Sequence, residues 1–185
     1  MVLYTAMFIP NHIEIKQVDG KGKGLFVNRS FRKGQPVLKM GSKIALRPHI
    51  KASLNSIQID DDTYIDVDKQ QTWQYINHSC LPNTRLDLDT LSFVTLNDIL
   101  AGEEITYHYC TTEFDLAAKN EEFDCKCGSF NCLKVIKGFK HLSKKQKEGL
   151  SSLLIPYTLR KLKLRSNNIE IYPGKPKYQI SKLAT

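Results

Sequence analysis

Three of the five cysteines in this chain fall within eight residues, in CKCGSFNC (125–132). Gly128, Ser129 and Asn131 make that stretch a tight turn, and such a turn lets Cys125, Cys127 and Cys132 converge on one ion. Zinc takes four ligands in a tetrahedron and accepts thiolates well, so three sulfurs require a distant fourth ligand. Cys80, Cys110 and a histidine are the candidates. An odd number of cysteines in a chain with no secretion signal argues against a disulfide framework. A second concentration of chemistry lies in YINHSCLPN (75–83), where an asparagine, a histidine and a cysteine stand together. Few core strands tolerate so many polar groups in a row.

These residues need elements to hold them. Residues 12–27 alternate and reach GKGLFV, a glycine-punctuated turn before an apolar run. SFRKGQPVLKM reads as a turn at Lys33-Gly34 followed by a short strand, and SLNSIQIDDDTYIDVD as a hairpin around Asp60–Asp62. LDLDTLSFVTLNDILAGEEITYHYC supplies two or three more strands, with turns at Asp89-Thr90 and Ala101-Gly102. TTEFDLAAKNEEF reads as one short helix. In SKKQKEGLSSLLIPYTLRKLKL, Ser143 and Gln146 have capping-box spacing, Leu150, Leu153 and Leu154 form an apolar stripe, and Pro156 is expected to end or kink the helix. The stretch from Ser166 onwards reads as irregular and partly disordered.

At 185 residues and 41% hydrophobic, the chain fits one globular domain with an appendage. Residues 133–185 carry 13 Lys/Arg against Glu148 and Glu170, whereas residues 1–132 carry 14 against 17 Asp/Glu. An acidic body suits a basic ligand; the basic tail either contacts nucleic acid or another polyanion, or is a solvated extension. No apolar run is long enough to span a bilayer, which excludes a membrane role, and MVLYTAMFIP lacks a basic n-region. The expected location is intracellular: nuclear if the source is eukaryotic, cytoplasmic if bacterial.

GKGLF (22–26), YINHSCLPN (75–83), GEEITYHY (102–109) and CKCGSFNC (125–132) together resemble, in order and approximate spacing, the SET-domain lysine methyltransferases. The likeness covers about residues 12–137. It implies a mostly β fold of small curved sheets, with a knot-like crossing where the NHSC segment meets GEEITYHY. The implied organisation is a SET domain over 12–118, a small zinc-bound post-SET module over 119–137, and a basic, helical C-terminal extension over 138–185. The implied methyl donor is S-adenosylmethionine and the implied acceptor a protein lysine.

The resemblance also assigns residues. Asn77 and His78 contact the cofactor, although a histidine taken alone reads as a hydrogen-bonded core residue. Cys80 becomes the fourth zinc ligand with Cys125, Cys127 and Cys132, and Cys110 is left as a buried apolar thiol or a substitute for Cys80. Gly22, Lys23, Gly24 and Leu25 match the cofactor loop, where small residues let backbone groups approach the ligand. Tyr75 flanks the cofactor. Leu133 covers the adenine ring or simply packs. By family position Tyr109 is the catalytic tyrosine, and Tyr107 occupies a place where a hydroxyl favours mono- or dimethylation over trimethylation. Tyr64 is a candidate wall of the acceptor channel.

The chemistry has its own requirements. Methyl transfer from a sulfonium to an amine is an in-line displacement, and the amine must arrive neutral. Free lysine, with a pKa near 10.4, offers its lone pair in roughly one molecule in a thousand at neutral pH. A nearby cationic sulfonium and an apolar channel push that pKa down. Beyond this the protein supplies alignment and polar groups for the developing charges, and a tyrosine hydroxyl suits the task.

Departures from the pattern bear on the acceptor. His108 replaces a usual aspartate, Gln74 replaces a frequent arginine, and no cysteine precedes Cys80. A compact chain of this kind resembles the small SET proteins of bacteria and viruses. A histone tail is one candidate acceptor, with Asp60–Asp62 or Glu103-Glu104 as complementary charges; other lysine-rich proteins fit equally. Two alternatives are a SET-fold enzyme acting on a small amine or biosynthetic intermediate, and a non-catalytic zinc-dependent module that binds nucleic acid or chromatin.

Overall fold

Apolar residues at 13 and 15, then Gly20 and Gly22 at positive φ, turn the first segment into a hairpin of β1 (Ile13–Val18) and β2 (Gly22–Val27), with Ile13 opposite Val27 and Val18 opposite Gly22. The structure is a computed structural model that describes residues 7–167 apart from 42–43, 54 and 68. Ten more short strands follow: β3 (Pro36–Lys39), β4 (Ala45–Arg47), β5 (Ile57–Asp60), β6 (Thr63–Asp66), β7 (Asn77–His78), β8 (Thr84–Asp87), β9 (Ser92–Thr95), β10 (Glu104–Tyr107), β11 (Phe123–Asp124) and β12 (Val135–Ile136). Two helices, α1 (Lys144–Gly149) and α2 (Pro156–Asn167), close the described chain.

The strands form small separate sheets, in the orders β1-β2-β10-β7, β3-β9-β8, β4-β6-β5 and β11-β12. This is the mostly β, SET-type architecture that the motifs implied. The decisive pairing is β7 with β10, the parallel partner in a sheet whose other pairs are antiparallel. It sets Asn77 beside Thr106 and His78 beside Tyr107, and the Ser79 amide donates to the Tyr107 carbonyl at 3.1 Å. Fully buried Leu25, Phe93, Ile99 and Ile105 fill the core under these sheets. A second core of Cys110, Leu116, Ile136, Phe139 and Leu142 lies beneath the cysteine turn.

Two helical expectations change. TTEFDLAAKNEEF (111–123) is not a helix: a first 3₁₀ turn, Tyr109–Thr111, ends at its first residue, a second, Ala117–Lys119, lies within it, and its last residue begins β11. The Thr111 and Thr112 hydroxyls donate to the carbonyls of His108 and Tyr109, and Asn120 takes a left-handed φ of 56°, which stops the second turn. The intervening amides go elsewhere, Phe114 to Gln58 and Leu116 to the carbonyl of Lys137. Near the C-terminus, Ser143 caps α1 with Gln146 in the reciprocal manner expected. Pro156 neither ends nor kinks that helix, which is already over at Gly149; it opens α2, where its missing N–H costs nothing.

Helix α2 docks on the β5–β6 hairpin. Tyr157 is buried, and its hydroxyl donates to Asp61 and accepts from Gln58, both at 3.2 Å. Arg160 pairs with Asp60 at 2.9 Å and Lys161 with Asp61. The His49 amide donates to Asp62. The acidic turn is therefore engaged by the chain itself. No helix among the described residues is long and apolar enough to cross a membrane. The irregular stretch expected from Ser166 onwards begins instead within α2, which takes in Ser166 and Asn167, and from residue 168 it lies outside the described residues.

Candidate active site and cysteine cluster

The polar run at 75–83 is accounted for bond by bond. Asn77 donates from Nδ2 to the Lys23 carbonyl at 3.1 Å and to Glu104 Oε1 at 2.8 Å, and Lys21 holds the other Glu104 oxygen. Gly24 faces this group so closely that a Cβ there would lie 2.6 Å from Glu104 Oε1 and 2.8 Å from Asn77 Nδ2. Only glycine fits. Asn83 donates to the Glu104 carbonyl and accepts from the Thr106 amide, and Thr84 donates to the Thr106 carbonyl. Each polar side chain of the run ties one motif to another, so none is buried without a partner.

His78 makes the most consequential link. Its Nδ1 accepts from the Tyr109 amide at 3.1 Å, which leaves the ring proton on Nε2, 3.2 Å from Cys80 Sγ. Burial, with His108 and Lys21 adding, lowers its pKa to about 3, so the ring is neutral at ordinary pH. A neutral imidazole therefore connects the sulfur of Cys80 to the backbone of Tyr109.

Tyr109 stands between two cavities. One, of about 580 Å³, is lined by Lys21, Lys23, Tyr75, Asn77 and His78, with Cys125 on the far side. The other, of about 290 Å³, is lined by Tyr64, Trp73, Tyr107, Glu113 and Lys119. Tyr109, Phe123, Gln74 and Asn55 line both. The Tyr109 hydroxyl donates to the Ile76 carbonyl at 2.9 Å, and its ring lies 4.8 Å from that of Tyr107. Burial pushes both phenols well above their ordinary range, with Glu113 adding, so both stay protonated.

The predicted cofactor residues divide. Lys23, Tyr75, Asn77 and His78 share the larger cavity. Gly24 backs Asn77 from behind, Gly22 turns the chain at a φ of 74° with open space where a Cβ would stand, and Leu25 is fully buried in the core. Leu133 packs on the second core, and its amide donates to Cys80 Sγ at 3.3 Å.

The four converging sulfurs are Cys80, Cys125, Cys127 and Cys132, all within 4.8 Å of one another. Cys80 and Cys125 are 3.8 Å apart, the edge of a tetrahedron with Zn–S bonds of about 2.3 Å. Cys110 is fully buried outside this set, its thiol pushed up to about 12 by burial. Burial and the neighbouring thiols push Cys80 above its ordinary value, and burial pushes Cys125 up to about 11. Four thiolates repel in such a space unless a dication joins them, so the donor set fits a metal.

Glu113 and Lys119 gave no signal in the sequence, where they are ordinary charged residues of a presumed helix. Glu113 is buried; its Oε1 accepts from the Gln58 amide at 2.9 Å, and Lys119 Nζ lies 3.2 Å from Oε2. The same ammonium sits 4.6 Å from the centre of the Tyr64 ring.

Comparison with known proteins bears on the family and the fold. The SET domain profile matches residues 22–110. Methyltransferase flvH of Aspergillus flavus is 30% identical over 132 residues, covering 70% of this chain and 71% of the relative. The Variant-silencing SET domain-containing protein of Plasmodium falciparum is 29% identical across 77% of this chain, and the H3 lysine-4 specific histone-lysine N-methyltransferase of Saccharomyces cerevisiae 34% identical across 57%. This chain spans only 6% and 10% of those two proteins. Among solved structures, KRYPTONITE in complex with mCHH DNA, an H3(1-15) peptide and SAH superposes with a TM-score of 0.53 at 22% identity, over 66% of this chain and 29% of that one. That likeness concerns the fold.

Proposed function

The chain belongs to the SET-domain methyltransferase family, and from that premise we propose that it is an S-adenosylmethionine-dependent lysine N-methyltransferase with one structural zinc ion. One observation carries the reading: two cavities share a wall whose one phenol, the protonated Tyr109, lines both. In-line transfer needs donor and acceptor to enter from opposite sides and meet at one point.

When bound, S-adenosylmethionine supplies an electrophilic methyl group on a cationic sulfonium. The residues of the chain do the rest. Asn77, held by Glu104 and backed by Gly24, lines the donor side together with Lys23 and Tyr75. Tyr64, Tyr107 and Trp73 form the acceptor wall and keep water scarce around the amine. The neutral Tyr109 oxygen, fixed through the Ile76 carbonyl, presents lone pairs rather than a charge to the reacting groups. Cys80, Cys125, Cys127 and Cys132 would hold the zinc, which would tie the C-terminal module to the NHSC segment.

A histone tail or other lysine-rich protein is the proposed acceptor, a reading supported by the histone-lysine methyltransferases among the relatives. A second reading, methylation of a small amine, draws support from the acidic turn. Asp60, Asp61 and Asp62, one of the two acidic groups offered to a basic tail, are already engaged within the chain. Labelled S-adenosylmethionine offered with histones, ribosomal proteins and free amines separates the two. Label on protein lysine is expected; label on a free amine alone would favour the second reading, and no transfer to any of them would refute both. With the best acceptor, Tyr109→Phe is expected to lose at least a hundredfold in turnover while cofactor affinity, by calorimetry, stays within about threefold.

A further inference from the structure

A carboxylate beside the acceptor is at odds with the chemistry assigned to it. Glu113 lines the cavity that also holds Tyr107 and Tyr109, and is 7% exposed. A buried anion there would stabilise an ammonium and hold the acceptor in its unreactive form. The fold nevertheless needs this residue. Its side chain accepts from the Gln58 amide on β5. Its amide donates to the Tyr109 carbonyl at 2.8 Å, and its carbonyl accepts from the Phe139 amide at 2.9 Å. Glu113 thus joins β5, the Tyr109 segment and the C-terminal module at one point.

We propose that Lys119 is a positioning residue that cancels the Glu113 charge within the acceptor cavity and thereby lets the bound acceptor amine shed its proton near neutral pH. Its ammonium lies 3.2 Å from Glu113 Oε2 and 3.8 Å from Glu121, and rests over the Tyr64 ring. The side chain is 12% exposed and lines the same cavity. The 3₁₀ turn Ala117–Lys119 aims it inward, and the left-handed Asn120 reverses the chain behind it. Burial opposes the charge on Lys119, but Glu113 and the Tyr64 hydroxyl outweigh that and raise its pKa. Burial likewise pushes Glu113 up. Donors from Gln58 and Lys119 nevertheless occupy both of its oxygens, and the pair is charged. As a fixed cation, Lys119 is no methyl acceptor.

The other ionisable groups facing this site are Tyr64 from β6, Tyr107 and Tyr109 around the end of β10, His49 before β5, and Glu121. The three tyrosines are neutral because burial raises them. Glu121 is 30% exposed on its side chain and screened by water. Glu113 and Lys119 are therefore the opposed buried charges of the cavity.

This inference rests on the methyltransferase reading and is tested on the full-length protein with zinc. Single-turnover rates at saturating S-adenosylmethionine and saturating acceptor are measured from pH 6 to 10, since only these follow the bound amine. In Lys119→Met the acid limb should move up by about one pH unit, the size expected of one partly buried charge, so the rate at pH 7 falls about tenfold and recovers as pH rises. Lys119→Arg should keep the wild-type limb, Glu113→Gln should move it down, and the double variant should return it to within a few tenths of a unit. A limb that stays put in a folded Lys119→Met, or in Lys119→Gln should the first melt early, overturns the inference, as does a loss equal at every pH. Wild-type protein that transfers label to no acceptor overturns instead the reading beneath it.

Discussion

His108, like Trp73 in the acceptor wall, buries a ring nitrogen that no hydrogen bond satisfies among the described residues. Its ring is buried edge-on against His78 at 4.8 Å, and its Nδ1 has no hydrogen-bond partner among the described residues. Burial lowers its pKa to about 4. The unfolded chain takes up that proton near pH 6.5, so this residue leaves stability intact above that value and erodes it as pH falls towards 4. His108→Phe should therefore flatten the acid side of the stability curve by about 1.4 kcal/mol per pH unit across this window. His78, lowered to about 3, keeps its own share of the slope. Urea unfolding of both proteins at pH 4.5 to 7.5 checks this; parallel slopes would exclude it. His108 was visible as a departure from the family pattern, but its lack of a partner was not. Glu113 and Lys119 were invisible for the same reason: what distinguishes them is the Gln58 amide and the Tyr64 ring, each 55 residues away from its partner.

Among elements, local signals were legible and long-range ones were not. The Ser143–Gln146 cap and the hairpin of β5 and β6 are written in adjacent residues, and the structure has both. Pro156 was misjudged because its effect depends on where the previous helix ends, which Gly149 decides. The supposed helix after Thr111 fails because Gln58 and Lys137, far along the chain, take its amides. Helix α2 proves to be part of the body: its Tyr157 fills the space against β5 and completes the Gln58–Asp61 bonds. Tyr157→Ala should cost about 3 kcal/mol of stability by urea titration, and Tyr157→Phe about 1 kcal/mol, since only the hydroxyl is lost. Equal losses would mean that packing contributes nothing there.

For the molecule as a whole, the cysteine cluster joins regions far apart in the chain, which also touch through Ser79 and Ser129 and through the rings of His78 and Phe123. Cys80 comes from the segment after β7 and the other three from the turn between β11 and β12. Elemental analysis should give about one zinc per chain. Cys127→Ser should lower that content, and chelation should lower the melting temperature, because the ion that links the β11–β12 turn to the segment after β7 is lost. A metal-free chain with an unchanged melting temperature would remove zinc from the account. The charge distribution also changes meaning at this scale. Arg160 and Lys161 of the basic extension bind Asp60 and Asp61 of the acidic body, so part of the apparent surplus for outside partners closes on itself. The sequence by itself determined the four motifs, their order and thus the family, since spacing along the chain carries the backbone geometry that cofactor and metal require. Only the tertiary structure decided that Cys80 rather than Cys110 joins the cluster, that the aspartates are taken, and that an ion pair stands beside the acceptor. Those choices depend on distances across the fold, and residues some fifty to a hundred positions apart are brought together by packing, which no local pattern records.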